Sequence, residues 1–237
     1  MAEPRRQPEQ QAPPVQRLRV RYAKRGRARF ASHRDFSRAF ERALRRAGVP
    51  MAYSSGFSPH PRISYANASP TGAATEAEYL EIGLARPADP DAVRAGLDAA
   101  LPQGLDVLQV VEASGGSLAD GLQASEWRIE IAGPDRDTVD AAVAALLAAE
   151  SLTVERMTKS GLREFDARGA IVALWVIDDR TLGLVSRHVV PLVRPDDVLQ
   201  ALGRVEPRFA LAQPALLTRL AQGVWRDGRI VGPFEDA

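Results

Sequence analysis

Two of the three histidines in this 237-residue chain, His33 and His60, lie in one basic stretch between Phe30 and Arg62. An imidazole changes charge near neutral pH, so either could bind phosphate or act as acid or base beside a phosphodiester. They are the candidates for any catalysis. His60 belongs to Gly56-Phe57-Ser58-Pro59-His60-Pro61-Arg62. There Pro59 and Pro61 restrict the backbone and bias Ser58 and His60 towards extended conformations. Such a loop can present Ser58, His60 and Arg62 at low entropic cost, or can simply build a stiff crossover with Phe57 in the core. His33 could equally pack at the start of a helix. Only Asp35 and Glu78 stand near enough in sequence to complete a metal site, so no metal or cofactor is expected. His188 follows a strand and has no evident partner.

The charge pattern points more firmly to a partner. Between Arg17 and Arg62 there are thirteen Lys/Arg and two acids, whereas the remainder after Arg62 has sixteen Lys/Arg and twenty-six acids. An overall charge of +1 therefore conceals a basic front and an acidic rear. Arg17, Arg19 and Arg21 alternate with Leu18, Val20 and Tyr22, the period of a half-buried strand. Arg34, Arg38, Arg42 and Arg45 recur along one face of a helix expected over 33–47, with Phe36, Phe40, Ala43 and Leu44 on another. Arginine in such a stripe matches the footprint of phosphate-backbone recognition, and RNA is the expected partner. Tyr53, Phe57 and Tyr65 are aromatics that could stack on bases or could be core. The strand set faces away from the core while the helix packs on the other face of the sheet, so the two sets need not form one patch.

Elements that would carry these residues follow from local signals. Residues 1–16 are rich in Pro and Gln without apolar periodicity and read as a disordered arm. A basic domain is expected over 17–113. Ser32 caps the arginine helix with Asp35 three positions on, and Gly48 and Pro50 end it. Strands are expected over 63–68, 78–84 and 105–111, with a second helix over 91–101. This is the β-α-β-β-α-β order of a ferredoxin-like unit. Residues 114–125, opening Ser114-Gly115-Gly116-Ser117, read as a linker. A second domain, 126–237, repeats the pattern: strands over 127–131, 152–158, 170–178 and 182–188, and helices over 135–149 and from 195. Residues 209–219 are ambiguous because of Pro214, and the tail from Gly223 reads as extended or irregular. The expected fold is α+β, with two ferredoxin-like units in tandem, each an antiparallel sheet with helices on one face. Residues 159–168 read as a charged, hairpin-like excursion, more readily a solvated loop with salt-linked charges than a second contact point formed by Lys159, Arg163 and Arg168.

Composition narrows the chemistry. With no cysteine, the chain offers no disulfide, thiol nucleophile, Cys-ligated zinc or iron–sulfur ligand. No apolar run is long enough to span a bilayer as a helix and no signal segment opens the chain, which suggests a cytoplasmic protein. Phosphate-loop, dinucleotide-binding and nucleophile-elbow motifs are missing. Binding is favoured over catalysis, although metal-independent RNA cleavage needs no such motif.

Four motifs in order resemble one family. They are Arg29-Phe30-Ala31-Ser32-His33-Arg34-Asp35, Arg42-Ala43-Leu44-Arg45-Arg46-Ala47-Gly48, Gly56-Phe57-Ser58-Pro59-His60-Pro61-Arg62 and Glu76-Ala77-Glu78-Tyr79-Leu80. Together they resemble the DUF2344 family of radical-SAM-linked proteins, with a weaker match at Lys159…Asp166-Ala167-Arg168. Arg34 stands where relatives usually carry an apolar residue, and Ala66-Asn67-Ala68-Ser69-Pro70 replaces a more usual Pro-Leu-Pro-like run. The resemblance implies a radical SAM protein as partner, which would supply the iron–sulfur chemistry. More distantly, the basic first half resembles the ferredoxin-like RNA-processing proteins of CRISPR systems. The resulting expectation is an RNA-binding or substrate-presenting accessory of a radical SAM enzyme. The alternatives are a metal-independent endoribonuclease or RNA-modifying subunit using His33 and His60, and a protein–protein adaptor for the radical SAM partner.

Overall fold

The computed structural model describes residues 10–158 and 161–235. The chain divides into two compact units. The first runs to Thr71 and resumes over Ala77–Ala119; the second takes Gly72–Glu76 and the chain from Asp120 onward. The change of unit falls between Ala119 and Asp120. Gly72–Glu76, expected within the first domain, belongs instead to the second.

The first unit contains β1 (Gln16–Lys24), α1 (His33–Arg46), β2 (Ile63–Ala66), β3 (Ala74–Leu84) from Ala77 onward, α2 (Pro90–Ala100) and β4 (Leu105–Glu112). Its strands are ordered β4-β1-β3-β2, with β1 antiparallel to β4 and β2 antiparallel to β3. That is the ferredoxin-like order. Leu18, Val20 and Tyr22 of β1, Leu80, Ile82 and Leu84 of β3, and Leu105, Val107 and Val110 of β4 share one core with Phe36, Phe40 and Leu44 of α1 and Val93 and Leu97 of α2. Both helices therefore cover the same sheet face, because period-two strands send only alternate residues to it.

The helix ends are determined locally. Ser32 Oγ accepts from Asp35 N at 3.2 Å and donates to the Asp35 carboxylate at 2.6 Å. Asp89 caps α2 by accepting from Ala92 N at 3.0 Å, with Pro90 at the first helical position. Gly48 takes φ +64°, the left-handed residue that ends α1 without a Cβ penalty.

The expected disordered arm, residues 1–16, lies partly outside the described residues. Its described end is laid against the unit rather than free. Val15 N donates to Leu84 O at 2.9 Å, Gln16 opens β1, and Pro14 sits over Gly83, where any Cβ would meet its ring at 2.7 Å.

The second unit contains β5 (Ala124–Glu130), α3 (Arg136–Ala148), β6 (Thr153–Thr158), β7 (Gly161–Asp166), β8 (Ile171–Asp178), β9 (Thr181–Arg187), α4 (Pro195–Val205), β10 (Leu216–Arg226) and β11 (Arg229–Val231). The order β10-β5-β9-β8 repeats the ferredoxin-like arrangement. Two expectations change here. The strand expected over 152–158 is not in that sheet but pairs with β7 as a separate hairpin. The fourth sheet strand comes instead from the ambiguous region, since β10 begins at Leu216, two residues past Pro214. The tail from Gly223, expected to be extended or irregular, continues β10 and turns back as β11. On the other side of β10, Ala74 and Thr75 pair in parallel with Thr218 and Arg219. This pairing explains why Gly72–Glu76 belongs to the second unit. Lys159 lies outside the described residues, while Arg168 is committed internally, donating to Leu147 O and Ile171 O.

The β6–β7 hairpin is pinned by charge as well as by Val154 and Phe165 in the core. Arg156 Nη1 lies 2.5 Å from the Asp197 carboxylate and its guanidinium sits 4.8 Å from the Phe165 ring centroid. Asp197 also accepts from Arg194 N at 2.7 Å, which caps α4. Burial pushes the Asp197 carboxyl up, against the pull of Arg194 N–H and Arg156.

His188, without an evident partner in sequence, has two. Its Nδ1 lies 2.6 Å from Leu122 O and its Nε2 lies 2.7 Å from Ser125 Oγ. A carbonyl only accepts, so Nδ1 carries the proton and the neutral Nε2 accepts from the buried Ser125 hydroxyl. Burial lowers the imidazole pKa and nearby Arg219 lowers it further, while the Leu122 carbonyl opposes them.

Two outcomes follow from these buried groups. Arg156→Ala, which strands Asp197 in the interior, is expected to destabilise the protein by about 3 kcal/mol in chemical denaturation. Arg156→Lys should restore part of that, and equal loss for both would show that the ion pair is not the cause. For His188 the folded pKa is depressed, so the unfolded chain takes up the proton first. Stability should fall as pH drops below the ordinary value of 6.5 and through the lower folded value. Melting temperatures from pH 7.5 to 5 should decline more steeply for the wild type than for His188→Gln; parallel curves would refute this.

Candidate nucleic-acid interface

The arginine helix is oriented by aromatic stacking. Phe36 of α1 lies flat against Tyr22 of β1, with ring centroids 4.3 Å apart and planes 4° apart, and stacks on Phe40 at 5.6 Å. Tyr65 of β2 meets Phe36 edge-on at 6.1 Å. With this side of α1 anchored, Arg34, Arg38, Arg42 and Arg45 point the other way and are exposed. At 100° per residue they occupy an arc of about 80°, spread along about 16 Å of helix. Among the described residues none of the four has a carboxylate within ion-pair distance. Arg34 and Arg38 help hold the Asp35 carboxyl below its ordinary range, after its bond with Ser32. Glu41 lies at the border of the stripe, beside the buried side chains.

The strand arginines do not extend this stripe. Because Leu18, Val20 and Tyr22 face the helices, Arg17, Arg19 and Arg21 lie on the opposite sheet face. The strand and helix arginines therefore occupy two separate faces of the unit. Arg19 is moreover only 7% exposed, with Nε 3.2 Å from Glu81 and Nη2 donating to Gly116 O. It is an internal ion pair, neutralising a carboxylate on the adjacent strand. Arg17 stays largely open, 3.6 Å from the same Glu81.

The Gly56–Pro61 loop is the tip of a short irregular hairpin. Met51 bridges Leu84, Tyr53 bridges Pro61, and Ala52 N and Gly83 N bond to Gly83 O and Arg62 O respectively. Ser54 fastens the tip twice: its N–H donates to His60 O at 2.9 Å and its Oγ accepts from His60 N at 3.1 Å. Ser58 and His60 are exposed at this tip. Phe57 is 73% exposed, so it does not plug the core, and Tyr53 is partly exposed beside it. Arg62 is exposed, with Nε held by Tyr53 O at 3.1 Å. It precedes β2 on the side of Ser64 and joins Arg17 on the helix-free face, away from the α1 stripe.

His33 stands at the first turn of α1, exposed, with its ring edge-on to Tyr65 at 4.6 Å. Tyr65 is thus half-buried packing, its hydroxyl beside Ser37, and burial raises its pKa. No contact joins His33 to His60 among the described residues. The carboxylates considered for a metal are used elsewhere. Asp35 completes the Ser32 cap, and Glu78, 1% exposed, accepts from Ser69 N at 3.3 Å. Among the described residues no group of three His, Asp or Glu side chains is placed to hold a metal. No helix among them is long and apolar enough to cross a membrane.

Residues missed in the sequence reading lie in the expected linker. Leu118 is buried and Gly115–Ala119 form one wall of a cleft over the helix-free face. The run Ser-Gly-Gly-Ser suggests flexibility, and only the Arg19 tether reveals its place.

No curated protein matches the chain. Among solved structures, the crystal structure of the first two RRM domains of yeast poly(U) binding protein (Pub1) is similar over 86% of this chain and 98% of that one. The identity is 10% and the TM-score 0.23, so the fold assignment rests on the strand order above. Residues 17–195 match the family described as "Uncharacterized protein conserved in bacteria (DUF2344)". That span holds all four motifs of the first unit and most of the second, and the chain belongs to the DUF2344 family.

Proposed function

We propose that the protein binds RNA through the exposed arginine stripe of α1 and presents it to a radical SAM partner. The observation that carries this reading is the stripe itself. Arg34, Arg38, Arg42 and Arg45 face away from the core without an ion pair among the described residues. Arginine on a solvated surface is ordinary when neighbouring acids balance it. Here α1 carries five arginines against Asp35 and Glu41, one of which is tied into the cap. A line of guanidinium groups some 16 Å long spans several phosphates of an extended strand. The hairpin tip adds Ser58, His60 and the exposed Phe57, a hydroxyl, an imidazole and a ring suited to phosphate and base. The radical SAM partner rests on the family resemblance, and a chain without cysteine must obtain iron–sulfur chemistry from another protein. Catalysis by His33 and His60 lacks comparable support, since neither imidazole has a recorded side-chain hydrogen bond among the described residues.

Binding to a short single-stranded RNA should weaken steeply with salt. Four phosphate contacts give a slope of about −3 in log affinity against log salt concentration. The Arg38→Glu/Arg42→Glu double variant should lower affinity at least about tenfold and flatten that slope, since each reversal removes an attraction and adds a repulsion. Salt-insensitive binding, or unchanged affinity in the double variant, would overturn the assignment. Cleavage of the RNA that disappears in His60→Ala would favour the nuclease reading instead.

A further inference from the structure

The helix-free face of the first unit carries a second basic feature that the α1 reading does not use. A cleft of about 390 Å³ is lined by Arg17, Ser64, Glu81 and the Gly115–Ala119 segment. It adjoins a smaller recess of about 140 Å³ that shares Arg17, Ser64 and Glu81 and adds Pro14, Arg62 and Gly83. The larger volume falls within the range of small-ligand sites.

Charge and backbone chemistry indicate what would enter. Arg17 lines both cavities and Arg62 the smaller recess, against the carboxylate of Glu81, which Arg19 approaches from the interior. Arg19 makes the closer pair with Glu81, so the excess positive charge resides on Arg17, 64% exposed at its side chain, and on Arg62. Arg62 is held by Tyr53 O through Nε alone, which leaves its terminal nitrogens to a ligand. The opposite wall is the Ser114-Gly115-Gly116-Ser117 turn, pulled over the sheet by Arg19 donating to Gly116 O. Gly115 takes φ +65°, and the N–H groups of Gly115, Gly116 and Ser117 have no recorded partner among the described residues. Consecutive free N–H groups in a turn with a left-handed residue form a recurrent anion-binding concavity. The hydroxyls of Ser64 and Ser117 supply further donors. The absent side chain of Gly83 makes room for the Pro14 ring, which lines the smaller recess.

We infer that this cleft is a nucleotide-phosphate site, with Arg17 and Arg62 as the charged ligands and the Gly115–Ser117 amides completing the cradle. The phosphate belongs either to a free mononucleotide or to one residue of an RNA strand. The site is separate from the α1 stripe and stands or falls independently of it.

Nuclear magnetic resonance titration of the full chain tests this with AMP, adenosine, inorganic phosphate and an eight-nucleotide RNA. AMP and phosphate should shift the amides of Ser64, Gly115, Gly116 and Ser117, and adenosine should not. Arg17→Ala and Arg62→Ala should each weaken AMP at least tenfold, whereas Arg38→Glu/Arg42→Glu should leave it unchanged. Both single variants change exposed side chains, so the fold is retained. If the RNA shifts the same amides and competes with AMP, the phosphate is that of the strand; if only AMP does so, it is that of a free nucleotide. Absence of shifts with AMP, equal shifts with adenosine, or undiminished affinity in both single variants would overturn the proposal. Loss of RNA binding in the α1 variant with AMP binding intact separates this site from the stripe.

Discussion

The stacking of Phe36 on Tyr22 is the contact on which the candidate interface depends. Two rings 4.3 Å apart and nearly parallel fix the rotation of α1 about its own axis. A parallel, close pair contributes about 0.5–1.5 kcal/mol beyond its buried area, and each buried ring adds about 1.5–3 kcal/mol. Phe40 and Tyr65 extend the contact along the helix and across to β2. Rotate the helix by one residue and the arginine stripe would turn by about 100° towards the sheet. The solvated position of Arg34, Arg38, Arg42 and Arg45 is therefore a consequence of where the aromatics went.

On the other sheet face the same alternation produces a different outcome. β1 sends its arginines away from the helices, but that face is not simply left to water. Glu81 on the neighbouring strand neutralises Arg19, and Arg19 in turn holds the glycine-rich turn through Gly116 O. One buried guanidinium thus satisfies a carboxylate and a backbone carbonyl together. A buried ion pair of this kind adds little net stability, because desolvation offsets the attraction. Its consequence is positional: it places the turn beside Arg17 and Ser64 and creates a concave surface on an otherwise flat sheet.

The second unit shows how buried polar groups are accommodated by the chain itself. Asp197 serves the N-terminus of α4 and receives Arg156, tying the inserted β6–β7 hairpin to the sheet-and-helix body. His188 closes the end of β9 by bonding Leu122 and Ser125. Both resemble functional constellations by residue type alone, an Arg–Asp pair and a Ser–His pair. Their burial and local bonding identify them as parts of the scaffold, since the Asp197 carboxylate and both His188 ring nitrogens find partners within the chain itself.

Local physics made much of this legible from the amino acids alone. The period-two run at β1, the Ser32–Asp35 cap, the apolar face of α1 and the β-α-β-β-α-β order needed only near neighbours. The Arg34–Arg45 stripe and the stiffness around Pro59 and Pro61 were equally readable. What long-range pairing decided was not. The ion pair of Arg19 with Glu81 joins residues sixty-two apart, and the tether of Arg19 to Gly116 spans ninety-seven. The entry of β10 past Pro214, the departure of β6 into its own hairpin and the capture of Gly72–Glu76 by the second unit likewise depend on which strand edges meet. Sequence determined which residues were charged, capped or periodic. Tertiary structure decided which arginines are consumed internally and which still face solvent, because that depends on where carboxylates and carbonyls from distant strands arrive.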